Sequence, residues 1–259
     1  MFRRACAVAL AALAAFMLAA TPLRAAAPCA LEPQGEGHVS GVIDGRSFRL
    51  SDGREIRLAG IEPVAPGTGK TARGAALSAI IADKDVALSG DDDSPDRYGR
   101  QTAFVFVAGS AAPVQSLLLA DGAALVSTEM ANKDCAAVLT AAEAAARAAK
   151  KGIWADPAVI KNAESTDDIL AGIGRFALVE GRVLSVRQAG ATTYLNFGRR
   201  WTRDFAVTIS RRMLPAVEAA GMPVKSLENR RIRVRWVEAR PGPRIEVQRA
   251  GQIEVLSGN

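Results

Sequence analysis

Short apolar–polar alternations dominate the chain after residue 38. Residues 39–43, 47–50 and 55–58 alternate with period two, and Asp44-Gly45 and Asp52-Gly53 stand where hairpin turns belong. The period then lengthens over 71–82, where Ala75, Leu77, Ile80 and Ile81 share one side of a predicted helix. Strands follow at 86–88 and 101–107, separated by the acidic turn Asp91-Asp92-Asp93, and helices at 113–120 and 134–150. The second of these helices places Asp134 in its first turn and ends on Lys150-Lys151-Gly152, matching dipole and C-cap chemistry. Pro157, Asn162, Ser165 and Asp167-Asp168 mark 156–172 as a linker. A second β-rich run predicts strands at 176–186, 193–197, 205–209, 230–236 and 244–247, with a helix at 211–220. Five strands with a helix between the third and fourth is the pattern of a small Greek-key barrel.

The expected class is therefore mainly β with α (α+β), in four parts: 1–27 a leader, 28–155 a first domain, 156–172 a linker and 173–259 a second domain. The leader reading rests on Arg3 and Arg4, an apolar run over 5–20 and the small residues Ala25-Ala26-Ala27, the three regions of a secretory signal peptide. A membrane-spanning helix is the competing reading, but sixteen Ala-rich positions are short for a span. The expected location is periplasmic or secreted, with no transmembrane segment once the leader is removed. Cys29 and Cys135 then remain, either as a disulfide in an oxidising compartment or as two free thiols.

The single histidine, His38, and two cysteines cannot form a cysteine–histidine metal cluster, so any hydrolytic chemistry must use carboxylates and arginines. Val42-Ile43-Asp44-Gly45, Phe48-Arg49-Leu50, Arg57-Leu58-Ala59-Gly60-Ile61-Glu62, Asp96-Arg97-Tyr98-Gly99-Arg100 and Gly152-Ile153-Trp154-Ala155 follow in an order and spacing that resembles the staphylococcal-nuclease (thermonuclease) family. The resemblance covers about residues 37–155. It implies an OB-type five-stranded barrel with three helices and, in active members, a calcium-dependent phosphodiesterase. Such chemistry needs cations on the phosphate oxygens, a carboxylate-held calcium ion and a general base beside the water.

The family's phosphate-clamping arginines map onto Arg57 and Arg100. Its carboxylates are edited. Asp44-Gly45-Arg46-Ser47 stands where active members carry Asp-Gly-Asp-Thr, so Arg46 replaces a calcium ligand. Glu62-Pro63-Val64-Ala65 stands where they carry an Asp and, three positions on, the base. Glu62 retains an altered carboxylate, Ala65 cannot accept a proton, and Asp44 matches a supporting Asp outside the metal's first shell. The expectation is anion binding by Arg46, Arg57 and Arg100, with Tyr98 nearby and little or no hydrolysis. No cofactor is expected, or calcium if the nuclease site works through Glu62 and Asp44. The alternatives are an active metal-dependent nuclease and a non-catalytic envelope scaffold with protein partners.

Charge sharpens the picture once it is divided. The net +6 splits into +3 for 1–27, −6 for 28–171 and +9 for 172–259. The second domain resembles the OB-fold modules that follow thermonuclease-like domains in some secreted proteins. In it, Tyr194, Arg199, Arg200, Trp201 and Arg203 interleave rings with cations, as a single-strand binding surface requires. Arg231, Arg233 and Arg235 alternate along one strand and are expected on one face of it. Nucleic acid or another polyanion is the expected partner. The competing reading is a solvated, aggregation-blocking strand edge.

Overall fold

The computed structural model describes residues 29, 31–63, 70–91, 94–127, 130, 132–172, 176–200, 203–236 and 243–256, without side chains at 70–73 and 236. The expected leader, Asp92, Asp93, Ala65, Trp201 and the Trp236 side chain lie outside the described residues.

The first half runs β1 (Glu32–Val42), β2 (Ser47–Leu50), β3 (Glu55–Leu58), β4 (Ile61–Pro63), α1 (Lys70–Ile81), β5 (Asp85–Gly90), β6 (Arg100–Val107), α2 (Val114–Ala120), β7 (Ala124–Val126) and α3 (Lys133–Ala148). Strands β1, β2, β3, β6 and β5 close into a barrel in that order. The β3–β6 pair is parallel and the other ring pairs are antiparallel. Alternation drives the closure: Phe48, Leu50, Ile56 and Leu58 point inward and are fully buried, while Arg49 is exposed and Arg57 half-buried. Leu77 and Ile81 of α1 and Leu139 of α3 join the same core. The Asn132 side chain starts α3 by accepting from the backbone N–H groups of Asp134 and Cys135, at 3.0 and 3.1 Å. Within that first turn, Cys135 is bonded through sulfur to Cys29.

The chain continues through two short 3-10 turns into β8 (Ile160–Asn162), α4 (Thr166–Leu170), β9 (Ala177–Arg182), β10 (Ser185–Ala189), β11 (Thr192–Asn196), β12 (Ala206–Ser210), α5 (Leu214–Ala219), β13 (Arg231–Trp236), β14 (Arg244–Val247) and β15 (Ile253–Val255). The segment expected to be a linker is structured. Strand β8 pairs in parallel with β9, and Ala163 and Ile169 are buried in the second core. Its apolar residues are too few and too widely spaced to show a period, which is why it resembles a loop in sequence.

The expected second barrel takes the form of two four-stranded sheets, β10-β11-β12-β14 and β15-β13-β9-β8, around one apolar core. Their pairings repeat the first ring in part. Adjacent strands β9 and β10 stand where β1 stands, pairing antiparallel with β13 and β11, and β12 pairs in parallel with β14 as β3 does with β6. In both halves a helix, α1 or α5, lies between the third and fourth ring positions. Closure between β13 and β14 is not a hydrogen-bonded ladder among the described residues.

Candidate nucleic-acid interface

At the mouth of the first barrel a cleft of about 460 Å³ gathers Arg46, Arg57 and Arg100 with Asp96, Tyr98 and Thr102. Strand register brings them together. Arg57 lies opposite Ser47 on one side and Thr102 on the other, and Arg100 sits two residues before Thr102 on the same face. Arg46 arrives from the β1–β2 turn, whose Asp44 carboxylate accepts the Arg46 backbone N–H at 2.8 Å.

The two edited family positions meet each other. Arg46 Nη1 donates to Glu62 Oε1, and both side chains are mostly buried, 21% and 15% exposed. The Glu62 carboxylate is therefore engaged by a guanidinium.

Asp96 organises the other wall. Its Oδ1 accepts the backbone N–H groups of Tyr98 and Arg100 at 2.8 and 3.0 Å, and its Oδ2 accepts Arg100 Nε and Nη2 at 3.0 and 2.8 Å. This pairing holds the Asp96 carboxyl at about 2 and raises the Arg100 guanidinium above its ordinary value. Tyr98, 65% exposed, carries the guanidinium carbons of Arg97 and Arg100 at 4.7 and 5.0 Å from its ring centre.

In the second half the expected arginine face of β13 is corrected. Arg233 and Arg235 are 5% and 4% exposed and belong to an internal ion-pair cluster. Arg233 pairs with Glu180 and, at 2.9 Å, Glu254. Arg235 donates to both carboxylate oxygens of Glu143 on α3, at 2.9 and 2.5 Å, and Glu143 is fully buried. Arg147 lies in the same cluster, and burial first, then the like charge of Arg233, lower its pKa. The face that alternation assigned to solvent is covered by another helix and carboxylates, so these two arginines are not available to phosphates. Arg231, at the strand's start, is half-exposed and 3.7 Å from Glu180.

Tyr194 and Arg199 do line a cleft, of about 860 Å³, on the outer face of the β10–β11 pair. Arg200 and Arg203 are exposed on the following turn, where the Arg200 backbone N–H donates to Asp204 at 2.7 Å. Arg187 and Arg244 complete this cleft and escaped the sequence reading. The predicted strand ended at residue 186, and only the register, which sets Arg187 opposite Tyr194, makes that arginine part of a site.

A closed five-stranded barrel with helices and an arginine-lined mouth defines an OB-type architecture. Residues 56–156 match the family model for staphylococcal nuclease homologues, and this stretch of the chain is similar to that family's domain. That family supports a nuclease-like or nucleic-acid-binding role. No curated protein matches the chain.

Proposed function

We propose that the barrel mouth binds the phosphodiester of a nucleic acid, or another phosphate-bearing anion, with little or no hydrolysis. The Arg46–Glu62 ion pair carries this reading. A hard dication needs several carboxylate oxygens, and here the one at position 62 already neutralises a guanidinium. Asp44 is held in its own turn by the Arg46 N–H. Among the described residues no three His, Cys, Asp or Glu side chains gather in a way that could hold a metal. The residues present do not fit a calcium ion. Ala65 has no atom to accept a proton, and a missing general base alone costs about 10²–10⁴ in rate. What remains fits ground-state binding: Arg57 and Arg100 for phosphate oxygens and the Tyr98 ring for an adjacent base. Export is part of the proposal, supported by the leader-like N-terminus and by a Cys29–Cys135 bond suited to an oxidising compartment.

The test combines calorimetry with a nuclease assay. A dinucleotide with one phosphodiester should bind without calcium, lose affinity in Arg57→Ala and remain uncut, and calcium alone should give no binding heat. Calcium-dependent cleavage that disappears in Arg57→Ala overturns the proposal. The double variant Arg46→Asp/Ala65→Glu should gain calcium binding, because it both frees Glu62 and restores two acidic positions.

A further inference from the structure

The sheet β10-β11-β12-β14 turns Val186, Leu195, Val207 and Ile245 toward the second core. Its opposite face is ordered by register into two rows. One reads Arg187, Tyr194, Thr208 and Glu246 across the four strands, and the next reads Ser185, Asn196, Ala206 and Arg244. Period two places both rows on one surface. The cleft of about 860 Å³ opens over the β10–β11 side of it.

Three arginines line that cleft from separate places: Arg187 on β10, Arg199 after β11 and Arg244 on β14. No acidic side chain lines it among the described residues. The barrel mouth differs, because Glu62 and Asp96 neutralise two of its cations. Tyr194 lies among the three arginines, and the Arg244 guanidinium carbon is 5.9 Å from its ring centre. The amide of Asn196 borders the ring's row and donates to Ser185 at 3.2 Å.

We propose that this face is a second binding site, separate from the barrel mouth, for single-stranded nucleic acid. Tyr194 supplies the stacking ring, and Arg187, Arg199 and Arg244 contact phosphates. A tyrosine ring in a cleft lined by arginines matches the repeat of a single strand, one π-face and one negative charge per nucleotide. A duplex hides its base faces in the stack and can use only the charges. The site goes beyond the barrel-mouth reading and does not depend on it.

Fluorescence anisotropy with a labelled oligothymidine, measured across salt in an Arg57→Ala background, isolates this face from the first cleft. The single strand should bind more tightly than a duplex of equal length. Tyr194→Leu should weaken the single strand about tenfold with an unchanged salt slope, and Tyr194→Phe should keep it. Arg187→Ala/Arg244→Ala should flatten the slope of log K against log salt by about 1.4. Thermal unfolding of each variant confirms that the fold is retained. Binding that vanishes with Arg57→Ala alone places the ligand in the barrel mouth and overturns the proposal. So do the absence of single-strand binding in that background and indifference to Tyr194→Leu, the latter leaving only an electrostatic surface.

Discussion

Removing the Arg235 guanidinium should be among the costliest single changes in the chain. In Arg235→Met the stem volume stays, but Glu143, with no exposed side-chain surface, loses its bidentate partner. Two groups still face the stranded carboxylate: the Val126 backbone N–H at 2.8 Å and Arg147 Nη1 at 3.7 Å. Breaking a buried pair by deleting one partner costs about 3–5 kcal/mol. The residual contacts favour the lower end, about 3 kcal/mol, which for a chain of this size lowers Tm by roughly 6–12 °C. Urea unfolding followed by near-UV circular dichroism and calorimetry reads both quantities. The double variant Arg235→Met/Glu143→Gln should recover at least half of the loss. It removes the unpaired charge, while the Gln carbonyl still accepts from Val126. A cost in the single variant below about 1 kcal/mol, or a double variant as unstable as the single, would refute the assignment of a desolvated charge pair at this junction.

Four further outcomes follow from the same physical terms. Asp96→Asn should keep the turn, since an amide oxygen still accepts the Tyr98 and Arg100 N–H groups, and should release the Arg100 charge; anion affinity at low salt rises about two- to fivefold. In the wild type the Asp96–Arg100 contribution is full above the unfolded carboxyl pKa and declines as pH falls towards about 2; the folded carboxylate is still mostly ionised at pH 3, so an acid titration should leave this turn intact there. His38 hydrogen-bonds Asp85 at 3.0 Å and Asp83 at 3.1 Å, and these carboxylates raise its pKa. Its contribution is complete below pH 6.5 and fades as pH climbs through the folded value, and NMR of this sole histidine, with a pH-independent baseline in His38→Gln, checks it. Reducing Cys29–Cys135 opens a loop of 106 residues, for which about 2–5 kcal/mol of stability should disappear; equal urea midpoints with and without reductant exclude that.

The first barrel was legible because its code is local. Alternation, two Asp-Gly turns and one helical period predict β2 and β3 at the residues where they form, 47–50 and 55–58, and bring α1 and α3 within a residue or two of their ends. Arg57 and Arg100 were legible for the same reason, since a family motif fixes their strand positions. Strand β13 shows where this kind of evidence stops. Period two at 231–236 establishes that three arginines share a face, yet it cannot say whether water or protein lies beyond it. Here that neighbour is α3, ninety-two residues away, and the only local trace of it is Glu143, a lone carboxylate among the alanines of 136–149. The Arg46–Glu62 pair is a similar case. Each residue reads alone as a damaged ligand position, and only the fold reveals that the two replacements neutralise one another.

The charge of the second half has to be counted accordingly. Residues 172–259 carry 16 basic and 7 acidic side chains, a composition that suggests a uniformly basic partner surface. Burial divides these arginines into two populations with opposite requirements. Arg233 and Arg235 sit where an isolated charge is prohibitive, so each must be matched by carboxylates, and Glu180, Glu143 and Glu254 are spent on them. None of these carboxylates lines the outer cleft, where an acid would compete with a phosphate for Arg187, Arg199 and Arg244. The cleft lining thus carries three arginines and no acid among the described residues, although Glu246 stands on the same sheet face. A Glu placed at Gln188, in the cleft wall, should reverse that advantage, lowering single-strand affinity in low salt by about as much as losing one arginine, with stability unchanged because the site is exposed.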